Sequence, residues 1–323
     1  MLALGATLPS QIKDEVGGRE VTKDDHSISS VTACRPSAFP SVSLETRALG
    51  ISNVLADVVP RPVAGSDGVG LAGTVLGVFT NDDNPTVYGS AFLVAPGVAL
   101  AATHLFSGEE SLLTSGVKRI LAFSLRSDEV QLWEILSLSM PSGDDDTCIL
   151  SVAPFSDWPK DGTYFRFPTS TRVPKVGETV SIFGYRDGKK PQTAREVCMA
   201  FFSAQGKVIE HFLSGRDRRI CPHPCIEIGC GSLGGMSGGV AIDANGHAIG
   251  LVSRGLETIE RNGPTYISPI FSALCRNFKS VWPAGLFPAE LSLLDLPDEL
   301  VTIHGRSAFR HLESDEIAYT PWS

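Results

Sequence analysis

The chain has 323 residues, of which 42% are hydrophobic and 20% charged, a composition that can bury a sizeable core and excludes wholesale disorder. Its formal net charge of −9 lacks the basic excess that phosphate-backbone binding requires, so we expect no nucleic acid partner. No apolar run reaches the roughly 20 residues that cross a bilayer, and the start Met1-Leu-Ala-Leu-Gly lacks a basic segment, so we expect neither membrane insertion nor secretion.

The cysteines also bear on location. Their number is odd, so a complete set of disulfides cannot form within one molecule. A reducing compartment fits best, and we predict a cytoplasmic protein. The seven are Cys34, Cys148, Cys198, Cys221, Cys225, Cys230 and Cys275.

Residues 1–70 show no sustained period of 2 or 3.6 and are predicted to be an N-terminal extension. From Leu71, apolar and β-branched stretches alternate with turn signals, which predicts a first domain over about 71–156. Its six predicted strands are Thr74–Thr80, Tyr88–Val94, Gly97–Ala102, Arg119–Ser124, Val130–Leu138 and Thr147–Val152.

A stretch rich in Pro, Gly, Thr and Lys, Asp157–Lys175, is predicted to be a connector to a second domain over about 176–283. A short helix is predicted at Ile270–Phe278, and residues 284–323 form a tail with one possible strand at Leu300–Ile303. The second domain has six predicted strands: Thr179–Gly184, Val197–Glu210, Pro224–Ile228, Gly239–Asp243, His247–Ser253 and Thr265–Ser268. Six strands, a connector and six strands predict an all-β protein of two barrels.

The strongest motif is Gly234-Gly-Met-Ser-Gly-Gly, which lies between two predicted strands. Clustered glycines permit positive φ values and let the backbone approach a ligand, so Ser237 could face a cleft with free N–H groups around it. The alternative is a flexible Gly/Ser turn.

Two further segments carry reactive side chains. His104 ends a predicted hairpin of two apolar strands, where its ring is held rigidly and its near-neutral pKa suits a general base. Asp144-Asp-Asp precedes the apolar strand that begins at Thr147. Taken singly, the histidine could be structural, and the aspartates could be solvated turn residues.

Together these motifs resemble the trypsin and chymotrypsin family, and especially its HtrA-type and other bacterial branches that lack disulfides. Ala101-Ala-Thr-His is similar to the family's Thr-Ala-Ala-His, Asp146-Thr-Cys-Ile-Leu to Asp-Ile-Ala-Leu-Leu, and Gly235-Met-Ser-Gly-Gly to Gly-x-Ser-Gly-Gly. Two supporting matches are Pro174-Lys-Val-Gly-Glu-Thr-Val, like the first strand of the second barrel, and Gly250-Leu-Val-Ser-Arg-Gly, like the pocket-lining strand. The resemblance covers about residues 71–280 and implies two six-stranded antiparallel β-barrels of the chymotrypsin-like fold.

The chemistry supports these assignments independently. A serine hydroxyl needs an imidazole to take its proton, and the imidazole needs a carboxylate to orient it and stabilise its charge. The predicted roles are nucleophile for Ser237, general base for His104 and orienting acid for Asp146. Asp144 and Asp145 are expected to be solvated loop charges.

The resemblance also implies several binding groups. The backbone N–H groups of Gly235 and Ser237 would form the oxyanion hole. Ser253 would hydrogen-bond the Asp146 carboxylate, and its strand would pair with the substrate backbone. The predicted substrate-binding residues are Gly231, Ser253, Arg254 and Gly255.

The chain departs from the family pattern at two places. Met236 stands where many secreted members carry an aspartate that pairs with a newly freed N-terminal ammonium, and a thioether cannot form that ion pair. No Ile-Val-Gly-Gly start occurs near residue 70, so activation by N-terminal cleavage is not expected. No PDZ-type peptide-binding module with a Gly-Leu-Gly-Phe motif follows the barrels, so an HtrA-like trimer is not implied.

Substrate preference is read from the residues near the pocket. Gly231 near its base is not acidic, which disfavours a preference for Lys or Arg. Arg254 could favour acidic substrates or be simply solvated, and a small-to-medium apolar preference is the default expectation.

A zinc site is an alternative use of Cys221-Pro-His-Pro-Cys225, because Cys221, His223, Cys225 and Cys230 could supply four tetrahedral ligands. The spacing is not a standard Cys-x-x-Cys pair, so reduced structural cysteines are preferred and no cofactor is predicted.

The sequence therefore predicts a serine endopeptidase acting on protein or peptide substrates through an acyl-enzyme. Two alternatives stay open: a catalytically inactive protease-like binding module, and an esterase with the same triad. The oligomeric state is not predicted.

Overall fold

We describe the fold from a computed structural model, which describes residues 4–7, 45–48, 58–63, 69–80, 85–109, 119–126, 129–141, 145–156, 163–187, 196–256, 263–283, 285–287, 290–311 and 317–319. Cys34 and Asp144 lie outside these residues. Within them, no helix is long and apolar enough to cross a membrane.

Strands dominate the described residues. Within the part of the chain that the structure describes, two α-helices occur, α1 (Val69–Ala72) and α2 (Phe271–Cys275). The strands are β1 (Leu4–Thr7), β2 (Glu45–Ala48), β3 (Arg61–Pro62), β4 (Val75–Thr80), β5 (Val87–Ala95), β6 (Val98–Ala102), β7 (Ile120–Arg126), β8 (Glu129–Ser139), β9 (Thr147–Pro154), β10 (Thr163–Arg166), β11 (Thr169–Ser170), β12 (Thr179–Asp187), β13 (Glu196–Phe212), β14 (Cys225–Ile228), β15 (Val240–Ile242), β16 (Ala248–Gly255), β17 (Thr265–Pro269), β18 (Ile303–His304), β19 (Phe309–His311) and β20 (Ile317–Tyr319).

The first barrel closes in the order β4-β5-β6-β9-β8-β7, with every neighbouring pair antiparallel. Its strands are apolar and β-branched, and closure leaves no edge strand exposed. Each of the six predicted strands is present, displaced by one or two residues at some ends. The first predicted barrel is confirmed.

The second barrel contains β12, β13, β14, β17, β16 and β15, and the pairing of β15 with both β12 and β16 closes it. All six of its predicted strands are present, and the two-barrel, all-β fold is confirmed. The barrels pack through aromatic rings: the ring centroids of Phe123 in β7 and Tyr185 in β12 lie 4.9 Å apart, edge to face.

The segments outside the barrels are more ordered than the sequence predicted. The predicted connector contains β10 and β11, and the predicted extension contributes β1 and β3, which both pair with β13. The predicted helix near residue 270 is shorter, spanning Phe271–Cys275.

The C-terminal segment is joined to the barrels at β11. There, β18 pairs with β11 in parallel, and β11 also pairs with β16. The Arg166 guanidinium donates to the hydroxyl of Thr302 at 2.6 Å and to the carbonyls of Asp298 and Glu299 at 3.0 and 3.2 Å. The strand predicted at Leu300–Ile303 is observed two residues long at Ile303–His304, so it overlaps the prediction only at Ile303.

Candidate active site

His104 and Asp146 are brought together by strand register. His104 lies in a single turn of 3-10 helix directly after β6, and Asp146 immediately precedes β9. Because Ala102 of β6 pairs with Thr147 of β9, the two strands deliver these residues to the same end of the first barrel. Nδ1 of His104 lies 2.9 Å from both carboxylate oxygens of Asp146, and the backbone N–H of His104 donates to Oδ1 at 3.0 Å.

The Asp146 carboxylate is enclosed. Only 4% of its side chain is exposed, whereas 27% of the His104 side chain is accessible to solvent. Burial raises the pKa of Asp146, but hydrogen bonds from His104 and Ser253, together with the charge of His104, outweigh it and hold the pKa below the ordinary value. Asp146 is therefore an ionised acceptor at neutral pH, as orientation of an imidazole requires.

The predicted hydrogen bond from Ser253 is present. The Ser253 hydroxyl lies 2.5 Å from Oδ2 of Asp146, although Ser253 belongs to β16 of the second barrel. The carboxylate of the first barrel is thus held by donors from both barrels.

Asp145 differs from what the sequence predicted. Instead of being a solvated loop charge, its carboxylate accepts from the Arg276 guanidinium at 2.8 Å and from the Ser272 hydroxyl. Ser272 lies in α2 and Arg276 directly follows it, so both partners are far from Asp145 in the sequence. Asp145 therefore anchors the C-terminal part of the second barrel, and Asp146 alone of these two carboxylates contacts His104.

Ser237 lies in the glycine-rich loop before β15. Its hydroxyl donates to the backbone carbonyl of Ser253 at 3.1 Å, so in this structure Ser237 is hydrogen-bonded to β16 and not to His104. Gly238 has φ of +81°, and a Cβ there would lie 2.0 Å from the carbonyl oxygen of Ser90. Only glycine permits this tight approach of the loop to the first barrel.

The backbone N–H groups of this loop fall into two sets. Those of Met236, Gly238 and Gly239 donate to backbone carbonyls at 2.7 to 3.0 Å. For Gly235 and Ser237, the described residues provide no acceptor for the backbone N–H. Two unengaged donors on either side of Met236 are the arrangement expected of an oxyanion hole.

Ser90 in β5 secures the loop from the other barrel, a role that the sequence did not reveal. Its hydroxyl donates to the carbonyl of Gly235 at 2.9 Å and accepts from the N–H of Tyr185 at 2.8 Å. Its own N–H donates to the carbonyl of Ser237 at 2.7 Å.

Met236, which lies between Gly235 and Ser237, is fully buried in the core of the second barrel. Its side chain packs with apolar residues, and its sulfur accepts from the N–H of Leu233 at 3.4 Å. Apolar packing thus anchors this side of the loop.

The predicted substrate-binding residues lie on β16 and the loop facing it. Arg254 and Gly255 are exposed at the end of β16, whereas Ser253 is buried. A Cβ on Gly255 would lie 2.1 Å from the hydroxyl oxygen of Ser232, so the end of β16 and the loop that contains Ser232 approach each other closely. Gly231 is buried, and its N–H donates to the carbonyl of Val58 at 2.9 Å.

The four candidate zinc ligands are not arranged around one point. Among the described residues, no three His, Cys, Asp or Glu side chains are placed to hold a metal ion. Cys221 and Cys225 pack beside Tyr266, whereas Cys230 lies in the separate core of the second barrel. The six described cysteines are all free thiols.

His223 takes a position that the sequence did not predict. Its Nε2 lies 3.1 Å from the hydroxyl oxygen of Ser253 and 3.9 Å from Oδ2 of Asp146. Nothing in the local sequence signals this contact, because 30 residues separate His223 from Ser253 and 77 separate it from Asp146.

Comparison with known proteins gave a match to one family. Residues 89–251, half of the chain, match the family described as trypsin-like peptidase domain. No curated protein matches the chain.

Among solved structures, the chain is similar to the inactive form of the Rv3671c protease, with 18% identity over 67% of this chain and 93% of that one and a TM-score of 0.42. It is also similar to an inactive mutant of Rv3671c from M. tuberculosis H37Rv, with 19% identity, coverage of 67% and 91% and a TM-score of 0.41. The HtrA-type protease AlgW, solved with a decapeptide, shows 16% identity over 64% of each chain and a TM-score of 0.41.

Proposed function

The chain belongs to the family of trypsin-like peptidase domains, and from this membership we propose that it is a serine endopeptidase with Ser237, His104 and Asp146 as its catalytic triad. The observation that carries the proposal is the hydrogen bonding of the Asp146 carboxylate by Nδ1 of His104 and by the hydroxyl of Ser253, the residue whose backbone carbonyl holds Ser237 nearby.

His104 is the proposed general base. The Asp146 carboxylate accepts from Nδ1, which leaves Nε2 of the neutral imidazole with a free lone pair. That nitrogen would take the Ser237 proton as the hydroxyl attacks the substrate carbonyl, and the buried carboxylate would stabilise the imidazolium that results. His104 would then give the proton to the departing amine, leaving an acyl-enzyme that water hydrolyses by the same steps in reverse order.

The charge that develops on the carbonyl oxygen would be met by the N–H groups of Gly235 and Ser237. These donors lie on a loop held by Ser90 and by the buried Met236, so little reorganisation is needed during the reaction. Loss of one such donor typically costs about 3 kcal/mol of transition-state stabilisation.

The substrate backbone would pair with the exposed end of β16. The pairing of β15 with β16 ends at Leu251, beyond which Arg254 and Gly255 pair only with β17 among the described strands. A free strand edge beside the nucleophile can accept an extended peptide as an added strand.

The pocket would accept a small or medium apolar side chain. The close approach of Ser232 to Gly255 leaves little width, and the glycine at position 231 supplies no charge. Protein or peptide segments in extended conformation are therefore the proposed substrates.

A fluorophosphonate probe tests the nucleophile, because it modifies activated serines covalently. We expect the wild type to be labelled at Ser237 and the folded Ser237→Ala variant not to be labelled. Absence of labelling in folded wild-type protein would favour an inactive binding module and refute the proposal.

A peptide library tests the substrate class, with Ser237→Ala as the control. Cleavage after small or medium apolar residues is expected. Turnover of esters without any peptide cleavage would indicate an esterase instead, and cleavage after Lys or Arg would contradict the proposed pocket.

A further inference from the structure

His223 lies near the end of the connection between β13 and β14, over residues 213–224. Prolines flank it on both sides and restrict the backbone, because each proline ring fixes its own φ. The segment just before it is closed by the N–H of Arg216, which donates to the carbonyl of Cys221 at 2.8 Å. Only 8% of the imidazole is exposed, so its polar atoms need partners within the protein.

The distances determine which group donates to which. The Ser253 hydroxyl has a single proton, and the ionised Asp146 carboxylate at 2.5 Å can only accept, so that proton lies toward Asp146. The Ser253 oxygen is then an acceptor toward His223 at 3.1 Å, and Nε2 of His223 must carry the proton. The donors therefore run in one direction, from His223 to Ser253 to Asp146.

The direction of donation determines whether the Asp146 carboxylate keeps its hydrogen bond from Ser253. Without the His223 donor, the buried Ser253 hydroxyl could rotate away, and Asp146 would lose the donor that opposes His104. With the donor in place, a single arrangement satisfies every member of the chain. Hydrogen bonds that share atoms in this way strengthen one another.

We propose that His223 is a positioning residue that orients the Ser253 hydroxyl and thereby holds Asp146 for His104. This inference rests on the proposed function, since the position of Asp146 matters for catalysis only if His104 is a base. His223 is hydrogen-bonded neither to the nucleophile nor to the proposed substrate strand edge, and its one hydrogen-bonded partner in the site is Ser253, with Asp146 3.9 Å beyond.

Two variants of His223 separate positioning from simple packing. His223→Leu fills similar space but removes the donor, whereas His223→Gln retains an N–H donor at comparable reach. His211→Leu is the matched control, because His211 lies at the end of β13 and bonds the carbonyl of Pro174 at 2.7 Å, away from Asp146.

We expect His223→Leu to lower kcat about tenfold, the effect of one lost hydrogen bond, with KM nearly unchanged. His223→Gln should restore most of the loss, and His211→Leu should behave like the wild type. The downfield proton resonance of the His104–Asp146 hydrogen bond, seen by proton NMR, should shift or broaden in His223→Leu and return in His223→Gln.

Wild-type kcat together with an unchanged resonance in His223→Leu would overturn the inference. So would a loss of kcat that His223→Gln does not restore, because it would indicate packing alone. If His223→Leu does not fold, His223→Asn replaces it, since its amide is too short to reach Ser253.

The proposed function fails by a different result. If folded wild-type protein neither labels with fluorophosphonate nor cleaves peptides, the catalytic proposal is wrong. The inference about His223 is then tested by the proton resonance of the His104–Asp146 hydrogen bond, and it is also wrong if His223→Leu leaves that resonance unchanged.

Discussion

Two adjacent carboxylates offer a sharp test of the proposed site, because Asp145→Asn and Asp146→Asn make the same chemical change one residue apart. Asp146 accepts from His104 and Ser253, whereas Asp145 accepts from Arg276 and Ser272. The first substitution alters the environment of the proposed base, and the second alters only the attachment of α2.

The expected magnitudes follow from these contacts. In Asp146→Asn, the new amide group can donate, so it favours the tautomer of His104 with the proton on Nε2, which cannot accept the Ser237 proton. A wrong tautomer of this kind lowers kcat about 10⁴-fold, or about 5 kcal/mol in the activation barrier. Asp145→Asn removes a half-buried ion pair and should lower the free energy of unfolding by about 1 kcal/mol, with little effect on rate.

The assay is the second-order rate of fluorophosphonate labelling at Ser237, with urea unfolding measured in parallel for both variants. Equal slowing of labelling in the two variants would show that Asp146 has no special role. Labelling of folded Asp146→Asn at the wild-type rate would refute the assignment of the acid outright.

Three further predictions concern pH, the loop and the C-terminal segment. The pKa of Asp146 is lowered in the folded state, so the ionised carboxylate stabilises the fold above its ordinary pKa of about 4, and this stabilisation is lost as pH falls through the lower, folded value. The difference in unfolding free energy between wild type and Asp146→Asn, measured by urea titration, should therefore shrink between pH 6 and pH 2. A difference that stays constant over this range would contradict the prediction. Ser90→Ala leaves the buried N–H of Tyr185 and the carbonyl of Gly235 without their partner, so it should cost about 2 kcal/mol of stability and also slow labelling of Ser237, whereas Ser124→Ala in β7 should cost stability alone. Arg166→Ala should lower the unfolding free energy by about 3 kcal/mol and speed proteolysis of the segment after residue 290, and unchanged proteolysis would contradict the docking role of Arg166.

The barrels and their strands could be predicted because each depends on local patterns. Apolar, β-branched runs between turn residues specify strands, and twelve such runs in two sets specify two closed barrels. The meeting of His104 with Asp146 was expected from the family resemblance, and the pairing of β6 with β9 that produces it is a long-range contact which local patterns do not specify. Short strands such as β11 and β18 could not be found in this way, because two residues carry no detectable period and their pairing depends on distant segments.

Apart from the Ser253–Asp146 hydrogen bond, which the family resemblance implied, the contacts that hold the site could not be predicted from the sequence. Asp145 looks like any turn aspartate, and only the position of Arg276 makes it an anchor. His223 was considered as one of four alternative zinc ligands with Cys221, Cys225 and Cys230, whereas the fold turns its ring toward Ser253. Ser90 is one of many strand serines, and its role arises because Gly235 and Tyr185 are brought to it by the other barrel.

These contacts explain why the site needs both barrels at once. The first barrel carries His104, Asp146 and Ser90, and the second carries Ser237, Ser253 and His223. The oxyanion loop is held by Ser90 from across the interface, and the carboxylate is held by Ser253 from the opposite direction. Since each barrel completes a part of the site that the other begins, the proposed triad would form only when the two barrels are docked. A change that loosens the interface should therefore reduce the reactivity of Ser237 even where it touches no catalytic side chain.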